Sequence, residues 1–87
     1  MKNQSFIVSQ KQREIFSKNL KRYIDESGKE RKELAEMWGV PYSTITEWIN
    51  ARKYPRIDKI EMMANYFGIS KSDLIENRTE KKNGGEK

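Results

Sequence analysis

Apolar residues recur along most of the chain at helical spacing. Between Gln10 and Ser27, Ile15, Phe16, Leu20, Tyr23 and Ile24 share one side of a 3.6-residue period and leave Lys and Arg on the other, which predicts an amphipathic helix. Ser9 followed by Gln12 supplies a capping box, and Gly28 a left-handed stop. A second segment, Arg31 to Trp38, turns Leu34, Ala35 and Trp38 to one face and ends at Gly39. A third, near Pro41 to Asn50, turns Ile45, Trp48 and Ile49 inward. Pro55 breaks the chain. After it, Ile57, Ile60, Met63, Ala64 and Phe67 follow the i, i+3, i+4, i+7 spacing of a helix with one buried stripe. Asp58 and Glu61 sit early in that helix, where the macrodipole favours negative charge, and Gly68 ends it. Ser70 with Asp73 caps a last short helix carrying Leu74 and Ile75. No apolar–polar alternation is long enough to insist on a strand. The pattern predicts an all-α, compact five-helix bundle over residues 10–76, preceded by an arm at 1–9. Residues 77–87, NRTEKKNGGEK, contain no apolar side chain and read as a disordered tail or linker.

Length and composition narrow the function. Eighty-seven residues suffice for one small domain. The chain has no Cys and no His, which removes disulfide frameworks, thiolate nucleophiles and any zinc site other than an all-carboxylate one. No Ser-Lys or paired-carboxylate arrangement stands out from ordinary surface charge, so neither catalysis nor a cofactor is expected. No apolar run approaches the roughly 20 residues that span a bilayer, and the N-terminus MKNQSFIVSQ is too polar for a signal peptide. These features predict a soluble cytoplasmic protein with no membrane partner. The net charge of +5 points to an acidic one. That charge is concentrated: residues 51–57 carry three cations, Arg52, Lys53 and Arg56, and no acid, whereas residues 28–50 carry three cations against four acids. A dense basic loop suits phosphate contacts, although a solvated turn has the same composition.

The segment RKELAEMWGVPYSTITEWIN, residues 31–50, has the form of a helix-turn-helix. Gly39 stands at the turn, where the backbone needs a positive φ, and Ala35, one helical turn earlier, is small enough for the second helix to cross closely. Leu34, Val40, Ile45 and Trp48 fill the wedge between the helices. The longer run GVPYSTITEWINARKYPRIDKIEMMANYFGIS resembles the Cro/cI-type, lambda-repressor-like helix-turn-helix family. There, GVS-x-STIS-x-W/Y-ENGKR-x-P precedes a helix of the form LxxIAxALGVS. The resemblance extends over about residues 15–76.

The resemblance implies a lambda-repressor-like DNA-binding domain and a phage or bacterial repressor that reads a palindromic operator in double-stranded DNA as a homodimer. It implies that Arg31, opening the second helix, contacts a backbone phosphate or supports the recognition helix. The third helix then lies in the major groove, with Tyr42, Ser43, Thr46 and Glu47 at the groove-facing positions. These four lie opposite Ile45, Trp48 and Ile49 on the helix. Glu47 can accept from cytosine N4, Ser43 can bond either kind of edge, and the Tyr42 ring or Thr46 methyl can touch a thymine methyl. Asn50 and the loop cations Arg52, Lys53 and Arg56 match the family's phosphate clamp, which positions the protein without reading sequence.

Three positions depart from the family pattern. Pro41 replaces the usual Ser or Thr before the recognition helix and suits a first helical position. Ala51 replaces the usual Gly after Asn50, at a cost of roughly 1 kcal/mol if the left-handed geometry is kept. Glu30 replaces a Thr, Ser or Asn cap, with a favourable charge but weaker capping. Elsewhere, Trp38 and Trp48 lie on apolar faces, which favours core packing over base stacking. Met63 reads as core and Met62 as a flank. Tyr54 can bond a phosphate or pack its ring. Phe6, Ile7 and Val8 belong to an arm that either folds back, is disordered, or reaches DNA through Lys2. An alternative function, a protein-interaction or antitoxin module on the same fold, would use Met62, Tyr66 and Ile75 as an exposed apolar surface. The tail resembles the start of an interdomain linker, and family members often carry a further C-terminal dimerisation or self-cleavage domain, so this chain is read as the DNA-binding part of a longer protein.

Overall fold

Helical periodicity is realised in five segments: α1 Gln10–Ser27, α2 Arg31–Trp38, α3 Tyr42–Ile49, α4 Ile57–Phe67 and α5 Lys71–Ile75. The computed structural model describes residues 8–77, and no strand occurs among them. The readings of the arm at Lys2, Phe6 and Ile7 and of the tail after Asn77 lie outside the described residues.

Each helix boundary has a local cause. Ser9 Oγ accepts the Gln12 N–H at 3.1 Å and opens α1. The capping box is only half formed, however, because Gln12 Nε2 donates to the Ile75 carbonyl at 2.7 Å. A part-buried tertiary acceptor outcompetes the Ser9 N–H, which water can satisfy on its exposed residue. Glu30 caps α2 more fully than its residue type suggests: its side chain accepts from the third helical N–H, while Glu33 Oε1 accepts the Glu30 N–H at 3.1 Å. Gly39 ends α2 at φ 68°, and an added Cβ there would meet no atom within 4 Å. Backbone conformation rather than crowding therefore selects glycine at the turn. Pro41 is the residue before α3, not its first: it is extended (φ −65°, ψ 148°), and its carbonyl accepts the Thr44 N–H at 2.9 Å. Ser70 and Asp73 form the reciprocal box that opens α5.

All five helices feed one core. Phe16 and Leu20 of α1, Leu34 of α2, Ile45 of α3, Met63 of α4 and Leu74 of α5 are fully buried. Trp38 and Trp48 are core residues, and Trp38 stands edge-on to Tyr66 and Phe67 with centroids 5.8 Å away in each case. Two expectations are corrected. Ile57 does not join the α4 stripe: it is 60% exposed, the stripe begins at Ile60, and the preceding Pro55 is the buried residue at that end. Met62, Tyr66 and Ile75 do not form an exposed surface, because each packs half-buried against the core. Among the described residues, the large apolar side chains that are exposed are Met37, Tyr42 and Ile57.

A row of polar residues on α1 latches the bundle together. Asn19, 2% exposed, donates from Nδ2 to the carbonyls of Leu74 and Glu76, both at 2.8 Å. Ser17 Oγ donates to the Ile49 carbonyl at the end of α3. Arg13 donates from Nε to the Ala51 carbonyl at 3.0 Å and from Nη1 to the Val8 carbonyl at 2.8 Å. Except for the Val8 carbonyl, which precedes α1, the acceptors lie at the C-terminal ends of α3 and α5, where carbonyls lack intrahelical donors.

Candidate nucleic-acid interface

The α3 helix buries Ile45 and Trp48 and packs Ile49 half-buried beside them, which leaves the face begun by Tyr42 and Ser43 on the surface. Tyr42, its first residue, is 52% exposed; Ser43 is exposed, and Thr46 and Glu47 are half-buried. The α2–α3 turn at Gly39 brings the start of α2 beside the start of α3. Arg31 and Tyr42 consequently line one shallow depression together with Lys29, Glu30 and Lys32. Two candidates from separate helices, one assigned to phosphate and one to bases, thus share a single basic concavity.

At its other end α3 closes through the backbone. The Asn50 N–H donates to the Thr46 carbonyl at 2.9 Å, and the Glu47 carbonyl accepts from Arg52 at 2.9 Å and Lys53 at 3.4 Å. The six-to-one bond from Arg52 to Glu47 needs a left-handed residue before it. Ala51 fills that place at φ 61°, the one non-glycine with positive φ among the described residues. The geometry associated with glycine is kept although the residue is alanine, with an intrinsic cost of about 1 kcal/mol.

The loop then presents Arg52, Lys53 and Arg56 as exposed side chains. Lys53 Nζ lies 3.8 Å from Glu47 Oε1, both groups being well solvated, so this contact contributes little to stability. It does bring a candidate phosphate contact next to a candidate base contact. Asn50 is exposed and lies along a groove between α3 and α1 that Lys11, Lys18 and Lys21 also line. Neither the lysines of this groove nor the Arg13 latch follows from the apolar pattern, since the former read as a solvated face and the latter as one more surface cation.

Tyr54, in the middle of the basic loop, packs its ring. It meets Phe16 edge-on at 5.4 Å and 66° and joins the rim of the core. Burial raises its phenol pKa above the ordinary 10.0, partly offset by a hydrogen bond from Gln12. A raised acid pKa favours the fold while the phenol is protonated. This contribution is therefore complete below pH 10.0 and is lost as pH rises through the folded-state value. In denaturant titrations at alkaline pH, Tyr54→Phe is expected to lose stability less steeply above that point than the parent; parallel curves would remove Tyr54 as a cause.

Comparison with known proteins places these features in context. A family model described as helix-turn-helix matches residues 20–74. The solution structure of an SOS-response transcriptional repressor, LexA, from Eubacterium rectale is similar at a TM-score of 0.77 and 43% sequence identity, covering 83% of this chain and 77% of that one. Comparison with curated protein sequences finds no match.

Proposed function

This chain belongs to the Cro/cI-type helix-turn-helix family, and from that premise we propose that it is a sequence-specific transcriptional repressor acting on double-stranded DNA. In this reading α3 enters the major groove, where Tyr42, Ser43, Thr46 and Glu47 meet base edges. Arg31 at the start of α2 and Asn50, Arg52, Lys53 and Arg56 around the α3–α4 loop hold backbone phosphates on either side. The observation that carries the proposal is the juxtaposition at the end of α3: a polar helix face adjoins a loop of three exposed cations. The Eubacterium rectale repressor, similar in fold and sequence, supports the same reading. The competing protein-interaction role loses its motivation, since Met62, Tyr66 and Ile75 are packed against the core.

The operator is proposed to be a palindrome bound by a homodimer, with half-sites one helical turn, about 34 Å, apart. Selection of bound duplexes from a random pool tests function, symmetry and spacing together. An enriched inverted repeat is the expected outcome, and no enrichment at low salt would overturn the proposal. Within the enriched site, Glu47→Ala is expected to change the preferred bases at one position of each half-site, by a discrimination of about 1–3 kcal/mol. Arg56→Ala, in contrast, should weaken all sequences alike. Identical effects of both variants on every site would contradict this division of roles.

A further inference from the structure

The Arg13 side chain is in an unusual position for a cation on a DNA-binding domain. It is half-buried and directs two of its five N–H groups to protein carbonyls, Nε to Ala51 at 3.0 Å and Nη1 to Val8 at 2.8 Å. Its target, Ala51, holds φ 61°, a conformation that an L side chain resists and that glycine would adopt freely. The two backbone bonds that fold the basic loop back onto α3 depend on that residue staying left-handed. The Arg52 and Lys53 N–H groups reach the Glu47 carbonyl only because the chain reverses at Ala51. Two residues before Ala51, the Ile49 carbonyl accepts from Ser17 Oγ, also on α1.

We infer that Arg13 is a positioning residue for DNA binding: its guanidinium holds Ala51 in the left-handed conformation and so sets the direction in which Arg52 and Lys53 leave the recognition helix. The inference rests on the proposed phosphate role of that loop. A charge-assisted hydrogen bond to the Ala51 carbonyl offsets from outside the strain that a glycine at this position would not have. Because Nη1 also holds the Val8 carbonyl, the guanidinium is anchored to the protein at two points, Val8 before α1 and Ala51 after α3. Arg13 therefore acts through the loop rather than on the DNA, and its influence should disappear once residue 51 no longer needs help.

A double-variant cycle tests this on the full chain, using the duplex enriched from the random pool. Arg13→Gln is expected to weaken binding about tenfold, the scale of one charge-assisted hydrogen bond, and to flatten the salt dependence. Ala51→Gly alone should bind like the parent, and Arg13→Gln with Ala51→Gly should recover most of the lost affinity and the parental salt slope. Circular dichroism checks that each variant is folded. The intraresidue amide–Hα Overhauser contact of residue 51 in Arg13→Gln reports its left-handed backbone without reference to DNA. Unchanged affinity in Arg13→Gln, or a double variant no better than Arg13→Gln, overturns the inference; the latter result would assign Arg13 a direct phosphate contact or a general packing role. Failure of the parent chain to bind any duplex would instead overturn the DNA-binding proposal, while the Overhauser contact would still decide whether Arg13 holds Ala51.

Discussion

Replacing Arg52, Lys53 and Arg56 together by Ala is expected to weaken binding to every duplex about a hundredfold at low salt and to flatten the slope of log K against log salt by about 2.7. The slope is the more telling quantity. Each phosphate neutralised on B-DNA releases about 0.9 of a condensed counterion, and the three side chains are exposed on one short loop. Their loss should leave fold stability almost untouched, because the Lys53–Glu47 contact at 3.8 Å joins two solvated groups. It should also leave the order of preference among sequences intact, since phosphate contacts of the kind proposed for this loop carry no sequence information. Fluorescence anisotropy on the selected operator and on a scrambled duplex at several salt concentrations measures all three quantities. An unchanged slope would show that the loop does not face the backbone. A loss confined to the selected operator would show instead that the loop reads sequence.

A different part of the molecule sets the second large effect. Asn19→Leu is expected to destabilise the fold by about 3 kcal/mol, because two helix-end carbonyls lose their donor at once. Asn19 is 2% exposed, and its amide holds Leu74 and Glu76 at 2.8 Å, at the end of α5. Leucine keeps the branching of asparagine but carries bulkier methyl groups, so the loss combines the missing hydrogen bonds with some crowding. For a domain of this size such a loss is a large fraction of the total stability. Urea unfolding gives the magnitude, and faster amide exchange in α5 than in α2 and α3 would place the damage at the last helix. A midpoint matching the parent would mean that burial of Leu74 suffices to dock α5. Gln12, which donates to Ile75 from a part-buried site, should matter less when replaced by Ala.

The apolar periodicity was enough to read the helices because each bundle helix exposes one face and buries the other. Ile57 marks where that logic ends. It continues the α4 spacing perfectly, yet it stands in the first turn, beyond the reach of the core, and is 60% exposed. Tyr66 and Ile75 show the opposite failure, with aromatic and apolar side chains off the main stripe drawn inward by Trp38, Phe67 and the other helices. On the candidate interface, the exposed loop cations were legible as a local charge cluster. Arg13, Ser17 and Asn19 were not, because their partners are backbone carbonyls 38, 32 and 55 residues away. A carbonyl has the same chemistry in every residue, so no side-chain pattern announces where one will need a donor. The departure at Ala51 was visible as a missing glycine, but what compensates for it becomes apparent only in three dimensions.

The sparse anchoring of α3 has a consequence for how this domain could change its target. Ile45 and Trp48, with Ile49 half-buried beside them, tie the helix to the core by side chain, and its far end is also held through main-chain oxygen atoms at Ile49 and Ala51. Main-chain anchors do not depend on the identity of the residues that carry them. On the proposed reading, side chains at 42, 43, 46 and 47 are exchangeable as a cassette with little change to the scaffold, so that the bound sequence can drift while the fold is kept.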